Sequence, residues 1–158
     1  DVCSSDLKIQ KNPLYRALRC GKFTYAILEA TVRTYLTQTE VQKENLTMTL
    51  FNRSQTELLK IGKKIVKKLP MKIVDKFGIE VEQTKVEAGS GSLPLEKFPS
   101  AAFVFKGEMK ASELSRKFRS APNPVLGYIS GNRFHIDLKA IPATQEKQLL
   151  SSLISILQ

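Results

Sequence analysis

Two arginines three residues apart, Arg16 and Arg19, are the first side chains whose spacing suggests chemistry. On a helix that interval places both guanidinium forks on nearly one face. Each fork offers paired donors to a phosphate-like oxyanion, and Lys22, just past Gly21, can join them. From these residues alone a solvated or ion-paired surface is the alternative. The loop Gly89-Ser90-Gly91-Ser92 can turn backbone N–H groups toward an anion. It lacks the Walker and dinucleotide-binding patterns, and Pro94 sends the chain into another extended segment, so a structural turn is expected. His135 is the only histidine. Alternation in a strand sets it beside Arg133 and Asp137, as a half-buried or exposed residue rather than a catalytic base. Cys20 has cationic neighbours that lower a thiol pKa, but no histidine nearby in sequence, and is not assigned as a nucleophile. Lys60, Lys63, Lys64, Lys67 and Lys68 share one helix face, either solvated or available to an RNA backbone. These residues supply anion-binding potential and no complete catalytic set.

The elements that must position them follow from local signals. Asn12-Pro13 predicts a helix start, with Asn as cap and Pro in the first turn, running to about Cys20 and closed by a left-handed Gly21. A second helix is expected from about Phe23 to Leu36, with Tyr25, Leu28, Val32, Tyr35 and Leu36 on one side and Glu29–Arg33 as an i,i+4 pair. Ala26, Ile27 and Ala30 extend its apolar surface, which in isolation has nowhere to be buried. Residues 37–49 read as a linker or strap. Ser54-x-x-Glu57 predicts a capping box opening a helix to about Leu69, with Leu58, Ile61, Ile65 and Leu69 inward. Strands are expected near 79–86 and 100–106, with a loop between, and a helix at about 111–119 with Ala111, Leu114 and Phe118 inward. A hairpin of Val125–Ile129 and Arg133–Lys139 turns across Ser130-Gly131-Asn132, and a last helix spans about Thr144 to Leu157.

The chain has 158 residues, 42% of them hydrophobic and 25% charged, with a formal net charge of +10. This composition excludes wholesale disorder and suits one compact α+β unit over residues 50–158, preceded by helices in 8–49. The basic surplus favours an anionic partner. No apolar run approaches the ~18 residues of a membrane span; Ala101–Phe105 is the longest clear one. Two cysteines make neither a disulfide framework nor a metal site, and a cytoplasmic setting is expected. Residues 1–7, DVCSSDL, resemble the translated product of a sequencing adapter. Leaving them out removes Asp1 and Asp6 and raises the net charge from +10 to +12. On that reading the chain is the C-terminal piece of a longer protein.

Three stretches, KNPLYRALRCGKFTYAILEATVRTYL (11–36), GSGSLPLEKFPSAAF (89–103) and PVLGYISGNRFHIDLKAI (124–141), resemble the C-terminal third of bacterial selenocysteine synthases, the L-seryl-tRNA(Sec) selenium transferases. The resemblance implies an α/β, pyridoxal 5'-phosphate-dependent enzyme of the aspartate-aminotransferase-like fold (fold type I). Residues 8–49 would be the end of its large domain with a connecting helix, and 50–158 its small α+β domain. It implies seryl-tRNA(Sec) and selenophosphate as substrates, a homo-oligomer and no membrane. Arg16 and Arg19 match the family arginines that help hold the selenium donor. The family's Ser-Gly-Asp-Lys motif, which carries the Schiff-base lysine, is absent, so the cofactor would be held by an upstream part and this chain alone would be inactive. Tyr128 and Lys139 stand where relatives usually have Arg, and Cys20-Gly21 replaces a common Val-Asp pair. Two other readings stay open: a related pyridoxal-phosphate lyase acting on a small amino acid or sugar acid, and a stand-alone basic RNA-binding module.

Overall fold

The computed structural model describes residues 8–37, 45–87 and 97–158. The described residues fall into two compact units, the first within Asp1–Val41 and the second within Gln42–Gln158. DVCSSDL, most of the expected linker and the Gly89–Ser92 loop lie outside the described residues.

In the first unit Asn12 caps as expected, its side chain accepting from the Leu14 N–H at 2.9 Å. The helix expected to run on to Cys20 is instead a single 3-10 turn, Pro13–Tyr15, followed by an irregular turn. Nor does Gly21 adopt the left-handed conformation, which among described glycines is confined to Gly78 and Gly131. A three-residue turn buries no side chain, so nothing beyond its cap sustains it into a longer helix. Helix α1, Lys22–Thr37, then forms close to its expected bounds, with the Glu29–Arg33 pair closed at 2.7 Å. Its apolar side chains stay exposed, Phe23 at 83% and Leu36 at 79%.

The second unit opens with α2, Leu46–Asn52, where a linker was expected. Asn45 caps it by accepting from the Met48 N–H at 3.2 Å. Helix α3, Gln55–Val66, begins at Ser54, whose Oγ accepts from the Glu57 N–H at 3.1 Å. Leu58, Ile65 and Leu69 are buried and Ile61 is half-buried, as the period requires. A short helix the sequence signals did not indicate, α4 (Met71–Phe77), ends at Gly78 with φ 55°, a conformation that favours glycine.

Strands β1 (Ile79–Glu87), β2 (Lys97–Phe105), β3 (Tyr128–Ser130) and β4 (Arg133–Asp137) form an antiparallel sheet of order β1-β2-β4-β3. The β3–β4 turn places Gly131 and Asn132 at φ 54° and 59°, matching the right-handed twist of the hairpin. Helix α5 (Ala111–Arg119) joins β2 to β3, and α6 (Glu146–Leu157) closes the chain. One sheet face, with Ile79, Phe103, Phe105, Phe134 and Ile136, is buried together with Leu58, Ile65, Leu114, Phe118, Leu149 and Leu153 of the helices. Phe105, Phe118 and Phe134 meet at 5.3–5.6 Å between ring centres. Each such buried side chain contributes about 1.5–3 kcal/mol. The opposite face carries Glu82, Thr84, Ser100, His135 and Asp137, as alternation dictates.

Candidate functional site

Arg16 and Arg19 flank the end of the capped turn. Arg16 caps its C-terminal end, at φ −70° and ψ −34°, and the Leu18 N–H donates to the Leu14 carbonyl at 3.0 Å. Arg19 follows in irregular backbone, so no continuous helix face carries both groups. Both arginines are exposed, and neither forms an ion pair with the described residues. Arg19 lines a cleft of about 500 Å³ walled by Ile9, Leu14, Tyr15, Leu18 and Tyr25, with Cys20 at its edge; Arg16 does not line it. Cys20 is a free, exposed thiol.

In the second unit the polar groups of the sheet converge on Asp137. Its carboxylate accepts from Thr84 Oγ1 at 2.9 Å, Ser100 Oγ at 2.6 Å and the Lys139 N–H at 2.9 Å. Gln55 Nε2 donates to the Ser100 carbonyl at 2.7 Å, tying α3 to the same point. Lys139 is buried, and its ammonium donates to the carbonyls of Phe51 at 3.2 Å and Arg53 at 2.9 Å, where α2 ends. This is a cation on the negative end of a helix dipole. Burial pulls the Lys139 pKa below its ordinary value, opposed by the Asp137 carboxylate. Arg53, also buried, reaches the Ile141 carbonyl, Glu57 and Glu146. Sequence reading did not single out Arg53; an arginine directly before a helix cap gives no signal of burial.

His135 is half-buried and stacks on Tyr128, with ring centres 5.0 Å apart and planes 11° from parallel. Its Nε2 donates to the Ser130 carbonyl at 3.2 Å, leaving a buried Nδ1 without a partner. Burial, together with Asp137, raises the Tyr128 phenol above its ordinary pKa. Lys106 bridges Glu80 and Glu82, at 2.6 Å to each. Its hydrogen bond holds the Glu82 carboxyl below the usual range.

Apart from the unpartnered His135 Nδ1, these contacts are ties between elements rather than a reacting set. Near Asp137 lies an apolar hollow of about 240 Å³ bounded by Leu50, Phe51 and Val86, with the Lys139 ammonium already committed to backbone carbonyls. Lys139 is the buried lysine among the described residues, and it is not free to condense with an aldehyde. The surroundings of Lys139 therefore do not fit a Schiff-base site. Among them no group of three His, Cys, Asp or Glu could hold a metal ion, and no helix is long and apolar enough to cross a membrane.

The family model described as L-seryl-tRNA selenium transferase matches residues 6–142, a span that includes the arginine turn and the whole sheet. The L-seryl-tRNA(Sec) selenium transferase of Photorhabdus laumondii is 37% identical over 150 residues, covering 92% of this chain and 32% of the relative. That of Shewanella oneidensis is 36% identical over 148 residues, covering 92% and 31%. That of Salmonella paratyphi B is 33% identical over 138 residues, covering 85% and 30%. The chain spans about a third of the length of the curated relatives it matches. On this match the chain belongs to the L-seryl-tRNA selenium transferase family.

Proposed function

We propose that this chain serves as the C-terminal third of an enzyme that converts seryl-tRNA(Sec) to selenocysteinyl-tRNA(Sec) with selenophosphate. The observation that carries the reading is the match over 92% of the chain to a relative of that name. In this reading the first unit ends a large fold type I domain and the second, which takes in α2 from Leu46, forms the small domain, within a cytoplasmic homo-oligomer. Pyridoxal phosphate would supply an electron sink for this chemistry and would be held by a part of the enzyme outside these 158 residues. Catalysis therefore needs that part, and the 158 residues alone are inactive. A stand-alone RNA-binding module leaves unexplained why the arginine turn and the sheet match the same third of the same enzymes.

Within that reading, Arg16 and Arg19 hold the selenium donor. Selenophosphate carries a compact, multiply charged oxyanion, and a guanidinium presents paired N–H donors at matching spacing. Both groups are exposed and without ion pairs among the described residues, so no internal bond must break when the donor arrives. The test is a chimera in which residues 8–158 replace the corresponding third of the Photorhabdus enzyme. Arg16→Ala and Arg19→Ala should each raise the KM for selenophosphate by about tenfold or more, the equivalent of a lost charge-assisted contact of about 1.5–3 kcal/mol. Binding of seryl-tRNA and the melting curve should be unchanged. Donor kinetics equal to the unmutated chimera in both variants would overturn the assignment.

A further inference from the structure

The cationic face of α3 remains unexplained by the arginine site or by the core. Lys60, Lys63 and Lys64 on the helix, with Lys67 and Lys68 on the turn that continues it, are all exposed. At 100° per residue they fill an arc of about 140° and extend about 12 Å along the axis. Their spacing makes Lys60–Lys64, Lys63–Lys67 and Lys64–Lys68 like-charge i,i+4 neighbours, an arrangement that destabilises a helix. The nearby carboxylates do not relieve it. Glu57, three residues before Lys60, is bonded to Arg53, and Glu80, which shares a shallow hollow with Lys63 and Lys67, is bonded to Lys106 at 2.6 Å. None of the five lysines forms an ion pair with a described residue. By contrast, Arg116 and Lys117 of α5 have Glu113 at i−3 and i−4.

We infer that the α3 lysine stripe is a docking surface for the phosphodiester backbone of an RNA. An unneutralised row of ammonium groups complements a polyanion with regularly spaced charges, and binding releases the counterions condensed on it. Lysine is a point charge with rotatable donors, suited to a backbone rather than to planar, bidentate recognition. No aromatic side chain stands in the row to stack on bases, so the contact is independent of sequence. A membrane surface fits less well. The apolar side of α3, Leu58, Ile65 and Leu69, is committed to the core and cannot insert between lipids. The choice of tRNA as that RNA rests on the function proposed above; the surface itself rests on its charge.

The experiment measures binding of the 158-residue chain to fluorescent unfractionated tRNA between 50 and 200 mM salt. Reversing Lys60, Lys63, Lys64 and Lys67 to Glu should weaken binding at least tenfold. It should also lower the slope of log affinity on log salt by about 2 or more. The same four positions changed to Arg should bind like the unmutated chain, and changed to Gln should lose affinity even if the Glu variant folds poorly. A charge-matched control reverses Lys110, Arg116, Lys117 and Arg119, which lie on and beside α5, against β3 and β4 rather than β1 and β2. It should lose much less. Equal losses in stripe and control, unchanged binding in the Gln variant, or capture by phosphatidylserine vesicles but not by tRNA would each overturn the inference. Selenium transfer by the chimera is scored separately, so failure of one reading does not pass for failure of the other.

Discussion

Lys139→Met removes an ammonium from the end of α2 while leaving most of the buried stem in place. The wild-type group donates to the carbonyls of Phe51 at 3.2 Å and Arg53 at 2.9 Å. A hydrogen bond from a charged donor contributes about 1.5–3 kcal/mol, and a buried carbonyl left without its partner costs about 1–3 kcal/mol. Against this stand the desolvation of the ammonium and its repulsion from Arg53, both of which lower its pKa. The longer bond counts for less, so the net loss should be about 2 kcal/mol, read as a fall of about 1 M in the urea midpoint by far-ultraviolet circular dichroism. The pH dependence has a definite sign. The folded pKa lies below the ordinary 10.5, so between the two values the unfolded chain binds the additional proton. Wild-type stability therefore gains across that alkaline window and levels off above 10.5. The methionine variant has no such gain, and the gap between the two proteins should widen as pH rises toward 10.5. A midpoint shift below about 0.3 M at neutral pH, or a gap that narrows with rising pH, would show that the ammonium does not hold the end of α2.

Gly62→Ala sets two effects against each other. Alanine improves helix propensity by about 1 kcal/mol, but its Cβ would come within 2.7 Å of Val81 Cγ1 and 2.9 Å of Leu138 Cδ1. Overpacking at about 1–3 kcal/mol should win, lowering Tm by about 4 °C, with partial recovery when Val81→Ala is added; a rise in Tm would contradict it. Glu82→Gln tests the Lys106 bridge. Because Lys106 holds the Glu82 carboxyl below 4.5, wild type should be the more stable protein above that pH. Its advantage should disappear as pH falls through the folded pKa, and acid titration of both proteins by thermal melting checks this.

Local chemistry made much of the fold legible. The Asn12 and Ser54 caps, the α1 and α5 boundaries and the Gly131-Asn132 turn each depend on a few adjacent residues, and each forms where expected. Short helices were harder. Residues 45–49 carry polar threonines without period, yet α2 forms because Asn45 caps it, Lys139 neutralises its other end and Phe51 packs on Phe98 at 5.1 Å. Two of those three causes lie far away in sequence. The reverse error occurred after Pro13, where cap and proline signalled a helix that no burial sustains. At the candidate site, type and spacing suggest Arg16 and Arg19 on one helix face, but the helix stops at Tyr15 and only Arg19 lines the cleft, which depends on Ile9 and Tyr25 on either side of the turn. The Asp137 junction unites α3 and three strands, and periodicity within one element cannot reveal it.

The proposed role of residues 8–158 is that of the C-terminal third of a selenium transferase. Formation of selenocysteinyl-tRNA(Sec) by the Photorhabdus chimera, from seryl-tRNA(Sec) and selenophosphate, measures it directly. Turnover that requires selenophosphate is the expected result. A chimera that folds, binds pyridoxal phosphate and seryl-tRNA(Sec), and yet transfers no selenium would contradict it.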